Sequence, residues 1–172
     1  MNTARTVELK LHGYQAIFQP SKFGYSIAGL ITDPAVIYQI NDDRDDLLNI
    51  IYDEFDDLSK VRLKPEPWET IETDVIRIKC TWTEQNLPIA FDCDLNQLID
   101  PDITLIEGSD VIATIHQHFY IKSDGRTCGT TFTCSSFQIV KACTPLETVP
   151  EPIETERSYY KQTDGFVYQP IK

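Results

Sequence analysis

A chain of 172 residues with 41% hydrophobic and 10% aromatic content has the length and composition of one ordinary globular domain with a buried core. No apolar run approaches the roughly 18 residues of a membrane helix. MNTARTVELKLHG at the N-terminus lacks the apolar stretch of a signal peptide, so a cytoplasmic protein with no membrane partner is expected.

The formal net charge of −12 does not exclude nucleic acid, because it is concentrated. Residues 41–57 hold Asp42, Asp43, Asp45, Asp46, Asp53, Glu54, Asp56 and Asp57 against Arg44 alone, which contributes −7; residues 144–172 add −2 and the remainder only −3. Five cysteines without a CxxC pair argue no disulfide framework and read as small buried hydrophobes.

Residues 6–18 alternate as a first strand, Val7, Leu9 and Leu11 opposite Glu8, Lys10 and His12, with Gly13 placed for a bulge or bend. PSKFG at 20–24 is a turn. Residues 25–31 and 35–40 read as short strands parted by Thr-Asp-Pro, since the residue before Pro34 disfavours helix. An acidic helix is expected over about 42–58, where Leu47, Leu48, Ile51, Phe55 and Leu58 form one apolar stripe and Asn41 or Asp42 serves as cap. Its acids read first as a solvated face.

Residues 59–64 (SKVRLK) then set Lys60, Arg62 and Lys64 on one side of a strand, before Pro65 and Pro67 break regular structure. Residues 74–83 repeat the device: Arg77 and Lys79 oppose Ile76, Ile78, Cys80 and Trp82. Such alternation is also what any half-buried strand shows. A shorter strand covers 90–95 and a turn 96–101. Two long strands follow, 111–122 and 130–141, joined by Ser-Asp-Gly-Arg with Gly125 free to take positive φ. On the first of them Val111, Ala113, Ile115 and Phe119 form the core side, while His116, His118, Tyr120 and Lys122 share the other.

From residue 144 the chain turns Pro-rich and poor in aliphatics, so the expected organisation is a domain at 1–143 and an extended C-terminal arm at 144–172. Many short strands, one inserted acidic helix and no strand–helix alternation point to a mostly β protein, an OB-fold-like antiparallel barrel.

The block from residue 74 to 141 resembles the C-terminal half of phage-encoded single-stranded DNA-binding proteins with an OB-fold. Gly108-Ser109 precedes a long strand ending in Phe119-Tyr120, a glycine-containing hairpin with Gly129 follows, and the last strand ends in Gln138-Ile139-Val140. The resemblance implies protection of single-stranded DNA during replication or recombination in a host cytoplasm. Further copies of the chain and replication or recombination proteins are the partners it leaves open. One departure is the C-terminus, which ends Tyr168-Gln-Pro-Ile-Lys172 where the family often carries a strongly acidic tail.

The residues support that chemistry on their own. Sequence-independent binding of a single strand needs cations along a groove and rings on which bases stack. The expected interface comprises Lys60, Arg62, Lys64, Arg77, Lys79, Trp82, His116, His118, Tyr120, Lys122 and Arg126, with Tyr120 the foremost stacking platform. Trp82 is divided between core and stacking because it shares a side with Ile78 and Cys80.

No catalytic residue, cofactor or metal is expected. His116 and His118 with Cys128 and Cys134 match no common zinc spacing, and nothing local supports a nucleophile beside a base. Two other classes remain open: an acidic inhibitor mimicking nucleic acid, motivated by residues 41–57, and a β-rich virion assembly protein using the arm.

Overall fold

The structure, a computed structural model, describes residues 3–99 and 105–143; the arm expected at 144–172 and the domain boundary before it lie outside them. The described chain forms β1 (Ala4–Leu11), β2 (Ala16–Ser21), β3 (Gly24–Ile31), α1 (Pro34–Asp53), β4 (Arg62–Leu63), β5 (Trp68–Glu72), β6 (Val75–Trp82), β7 (Ile89–Phe91), β8 (Gln97–Leu98), β9 (Asp110–Ile121) and β10 (Thr127–Lys141).

Pairing closes five of these strands. β1 is antiparallel to β3 and β9, β3 to β6, and β9 to β10. β10 then meets β6 in parallel through Phe132 and Cys80. The ring β1–β3–β6–β10–β9 is an OB-type barrel, antiparallel except at that closing seam. After a bend at residues 12–15, β2 continues along the edge of β3 that β1 has left. β4 and β7 lie parallel to β10, β5 flanks β6, and β8 ends the sheet on β7.

Strand alternation fills the interior with Val7, Leu9, Leu11, Ile27, Ile31, Ile76, Ile78, Cys80, Val111, Ala113, Ile115, Phe132 and Ile139, all buried. A register shift between Cys134 and Ser136 lets Cys134 and Phe137, three positions apart, both face the core. Phe18 of β2 packs on Phe137, and Tyr25 stacks on Trp82.

The helix corrects the expected boundaries. It begins at Pro34, not near residue 42, so 35–40 is helix and not strand. Asp33 caps it by accepting from the Ala35 N–H, and Pro34 occupies the first turn, where its missing N–H costs no hydrogen bond. Val36, Ile37 and Ile40 extend the apolar stripe of Leu47, Leu48 and Ile51 by two turns. The stripe joins the barrel core at one end and covers Cys128 of β10 at the other. The helix stops at Asp53, and Leu58 is exposed on a 3-10 turn, Leu58–Lys60.

Two buried helix charges tie it down. Asp43 Oδ2 accepts from Arg5 Nε (2.7 Å) and pairs with Nη2 (2.6 Å), while Arg5 Nη1 donates to Gln39 Oε1. Arg44 donates to the Lys64 carbonyl and lies over the Trp68 ring. The strand expected at 59–64 is thus a 3-10 turn and the two-residue β4. Strands β5 and β8 appear where proline and polar residues suggested only loop.

Phe132 sits on the closing seam and packs against Trp68, at 6.3 Å between ring centroids. Phe132→Ala is expected to cost about 3–5 kcal/mol in urea unfolding, since it opens a cavity at the one register pair that closes the ring.

Candidate nucleic-acid interface

Because Phe132 and Cys80 point inward, their chain neighbours point outward, and the seam sets Lys79 and Thr81 of β6 beside Thr131 and Thr133 of β10. The antiparallel pairs continue this outer face onto β9, His116 opposite Thr133, His118 opposite Thr131 and Tyr120 opposite Gly129. On the far side of β10, the Arg62–Thr127 pair and the hydrogen bond from Lys64 N–H to the Cys128 carbonyl bring β4 onto the same face. Arg62, Lys64, Lys79 and Lys122 are exposed on it.

Tyr120 is half-buried, its ring lying across Gly129. A Cβ at Gly129 would meet Tyr120 Oη at 3.0 Å and Lys64 Cβ at 3.1 Å. Glycine is therefore what lets the tyrosine lie flat on the hairpin beside the lysine stem. The hairpin turn is fixed by Asp124, which accepts from the N–H groups of Arg126 and Thr127 and from the Thr127 hydroxyl. These bonds, the hydroxyl first, hold its carboxyl well below the usual carboxylate range. Gly125 takes φ of +65° at the turn, as its sequence position requires.

His116 and His118 stack with ring centroids 5.9 Å apart and planes 7° from parallel. Each Nε2 is hydrogen-bonded to a β10 hydroxyl, His116 to Ser135 and His118 to Thr133. Alternation sends Cys128 and Cys134 to the opposite, inner face, so histidines and thiols do not share a site. Burial pushes the Cys134 thiol up to about 12. Cys93, by contrast, is exposed.

Four expected residues stand differently. Trp82 is buried with its indole N–H unpartnered, so it belongs to the core and is no surface platform. Arg77 is half-buried; its Nε donates to the His12 carbonyl, it braces the β1–β2 bend, and Glu69 is its cross-strand neighbour. Lys60 lies on the 3-10 turn, paired with Asp57 at 2.9 Å. Arg126 is exposed at the hairpin turn beyond the flat face.

Two exposed aromatics lie outside the expected set. Tyr14 at the bend is 76% exposed, and Phe23 at the β2–β3 tip is 80% exposed with Lys22 Nζ 4.8 Å from its ring centroid. The bend is rigid: Gln15 donates to the Gly13 and Ala28 carbonyls and accepts from the Ala28 N–H. Ala28 in turn is the register partner of Lys79, so Tyr14 and Phe23 flank the β3–β6 part of the surface.

No protein-family model and no curated protein matches the sequence. Solved structures do match: the fold is one that phage single-stranded DNA-binding proteins share. The gp2.5 single-stranded DNA-binding protein of bacteriophage T7 superposes with a TM-score of 0.68 at 14% identity, over 86% of this chain and 91% of that one. The single-stranded DNA-binding protein of bacteriophage Enc34 in complex with ssDNA gives 0.56 at 14% identity, over 84% and 90%. A second structure of the bacteriophage Enc34 single-stranded DNA-binding protein gives 0.55 at 16% identity, over 91% and 90%.

The histidine pair yields a pH test. His118 is held below its ordinary 6.5, first by desolvation of the ring and then by His116. The unfolded chain then binds more protons than the folded one, so this contribution is intact above about pH 6.5 and is lost as pH falls below it. Urea unfolding of the wild type should therefore weaken between pH 7.5 and 5 more than that of His118→Gln; parallel profiles would contradict the assignment.

Proposed function

We propose that this protein binds single-stranded DNA, without catalysis and without sequence preference, along the outer face of β6, β10 and β9. One observation carries the reading: Lys79, Lys122, Arg62 and Lys64 share a single outward face with Tyr120 and the stacked histidines. Cations there neutralise phosphates, and rings accept stacked bases whatever their identity. The fold shared with phage proteins named for single-stranded DNA binding supports it.

In this reading Tyr120 stacks a base over Gly129, while Lys64, Lys79, Lys122 and Arg62 follow the backbone. Thr131 and Thr133 offer hydroxyls between them, and Tyr14 and Phe23 extend the stacking surface past β3. Arg77 positions the bend that carries Tyr14. The acidic face of α1 repels the strand and so confines it to the barrel wall. Shielding single strands during replication or recombination is the corresponding role, and cytoplasm the corresponding place.

Fluorescence titration with oligo-dT and with duplex of equal length tests this. Binding should favour the single strand and weaken with salt. Tyr120→Ala should lower affinity roughly tenfold, in line with about 1–3 kcal/mol per stacked base. Lys79→Ala should reduce the slope of log affinity against log salt by about 0.7. Phe23→Ala should weaken binding less than Tyr120→Ala. Absence of single-strand binding at low salt would overturn the proposal and favour the acidic-mimic reading.

A further inference from the structure

His116 and His118 lie on the outer face, and among the described residues no carboxylate is paired with either ring. Ala4 of β1 lies opposite His116, and β10 brings the hydroxyls of Thr131, Thr133 and Ser135. Along the chain the neighbours on this side are Thr114, Tyr120 and Lys122. From β6 the seam adds Lys79, across Thr131 and Thr133. The acid that α1 brings to β1, Asp43, is bound to Arg5 on the inner side, where the register partner of Arg5, Ile115, is buried.

The hydroxyl partners suit rings that change their charge. A carboxylate would hold an imidazole as a cation, and a backbone N–H would hold it neutral. A hydroxyl both gives and takes a hydrogen bond, so its contact survives protonation of the ring. Ser135 Oγ donates to the Thr114 carbonyl at 3.4 Å, so its oxygen accepts from His116 Nε2–H at 3.1 Å, and Nδ1 is the basic nitrogen of that ring. In neither ring does Nδ1 have a partner among the described residues. Protonation there creates an N–H donor that the fold does not use. The rings, 5.9 Å apart, disfavour two charges together, and His118 is held below its ordinary value first by desolvation and then by His116. An anion beside the pair reverses that balance, and the backbone of a single strand crossing this face is such an anion.

We infer that the imidazole pair takes a backbone phosphate of the bound strand as an imidazolium–phosphate contact, so that binding moves a proton from solvent onto His116 or His118. The inference rests on the single-strand reading above and gives the pair an electrostatic role within it. The complex then holds more protons than the separated partners, so affinity rises as pH falls through the range in which imidazoles titrate. The charge appears together with its ligand, and the partly desolvated ring does not carry it unpaired in the free protein.

Titration of the full chain with oligo-dT from about pH 8 to about pH 5.5 at constant salt tests this, because thymine has no group that titrates in that window. Affinity should rise by about threefold to tenfold as pH falls, the effect of raising one imidazole by up to about one unit. Calorimetry of the wild type in two buffers of different ionisation enthalpy should show uptake of up to about one proton per binding event. The rise should vanish when His116→Gln and His118→Gln are combined. It should persist in His12→Gln, the remaining histidine of the sequence, which lies 3.7 Å from Glu107. Oligo-dT that binds without pH dependence or proton uptake, or a rise that survives in the double variant, would overturn the inference and leave single-strand binding standing. Absence of oligo-dT binding across the whole range would instead overturn the reading on which it rests.

Discussion

Closure of the barrel at the parallel seam between β6 and β10 is the constraint on which the remaining structure depends. It is made through one register pair, Phe132 with Cys80, and it fixes two things together. Inward, it sets Phe132 beside Trp68 in the core. Outward, it forces Lys79 and Thr81 against Thr131 and Thr133, which joins the basic strand to the histidine and tyrosine strand. Because side chains alternate with a period of two, a slip of β6 by one residue would send Lys79 inward and Cys80 into solvent. Core packing therefore enforces the composition of the outer face.

The charge distribution follows the same logic. The cations of the outer face are exposed; Lys79 is set among the hydroxyls of Thr81, Thr131 and Thr133, while Arg62 lies close enough to the Asp124 carboxylate to help keep it ionised. The acids gather on the solvent side of α1, whose buried Asp43 and Arg44 are each engaged with a partner from elsewhere in the fold. A chain of net charge −12 can in this way keep a cationic wall, since the helix packs by its apolar stripe and turns its carboxylates away from the core.

Legibility from sequence tracked periodicity. The long alternating runs at 75–82, 110–121 and 127–141 were readable, and so were the bend near Gly13 and the turn at Gly125. The helix start is not legible because Pro34 reads as a breaker; with Asp33 before it, proline is a starter, and Val36, Ile37 and Ile40 fit a helical stripe as well as a short strand. β5 and β8 carry too few alternating residues to stand out from loop. Trp82 was readable as core by its shared side with Ile78 and Cys80, and burial decides it. Tyr14 and Phe23 lie in a bend and a turn, where no period marks a side chain as exposed; only an aromatic inside turn chemistry hinted at them. The shared face of His116 and His118 is legible from alternation, whereas the Ser135 and Thr133 hydroxyls that hold the two rings come from β10, a pairing no linear pattern encodes.

The most direct test of the central claim is an amide chemical-shift titration of the labelled protein with a short oligo-dT. The largest shifts are expected at Lys79, Thr131, Thr133, His118, Tyr120 and Lys122, with the β7–β8 hairpin and the acidic face of α1 unmoved. Shifts centred on α1 or on residues 87–99, with β6, β9 and β10 unchanged, would contradict it.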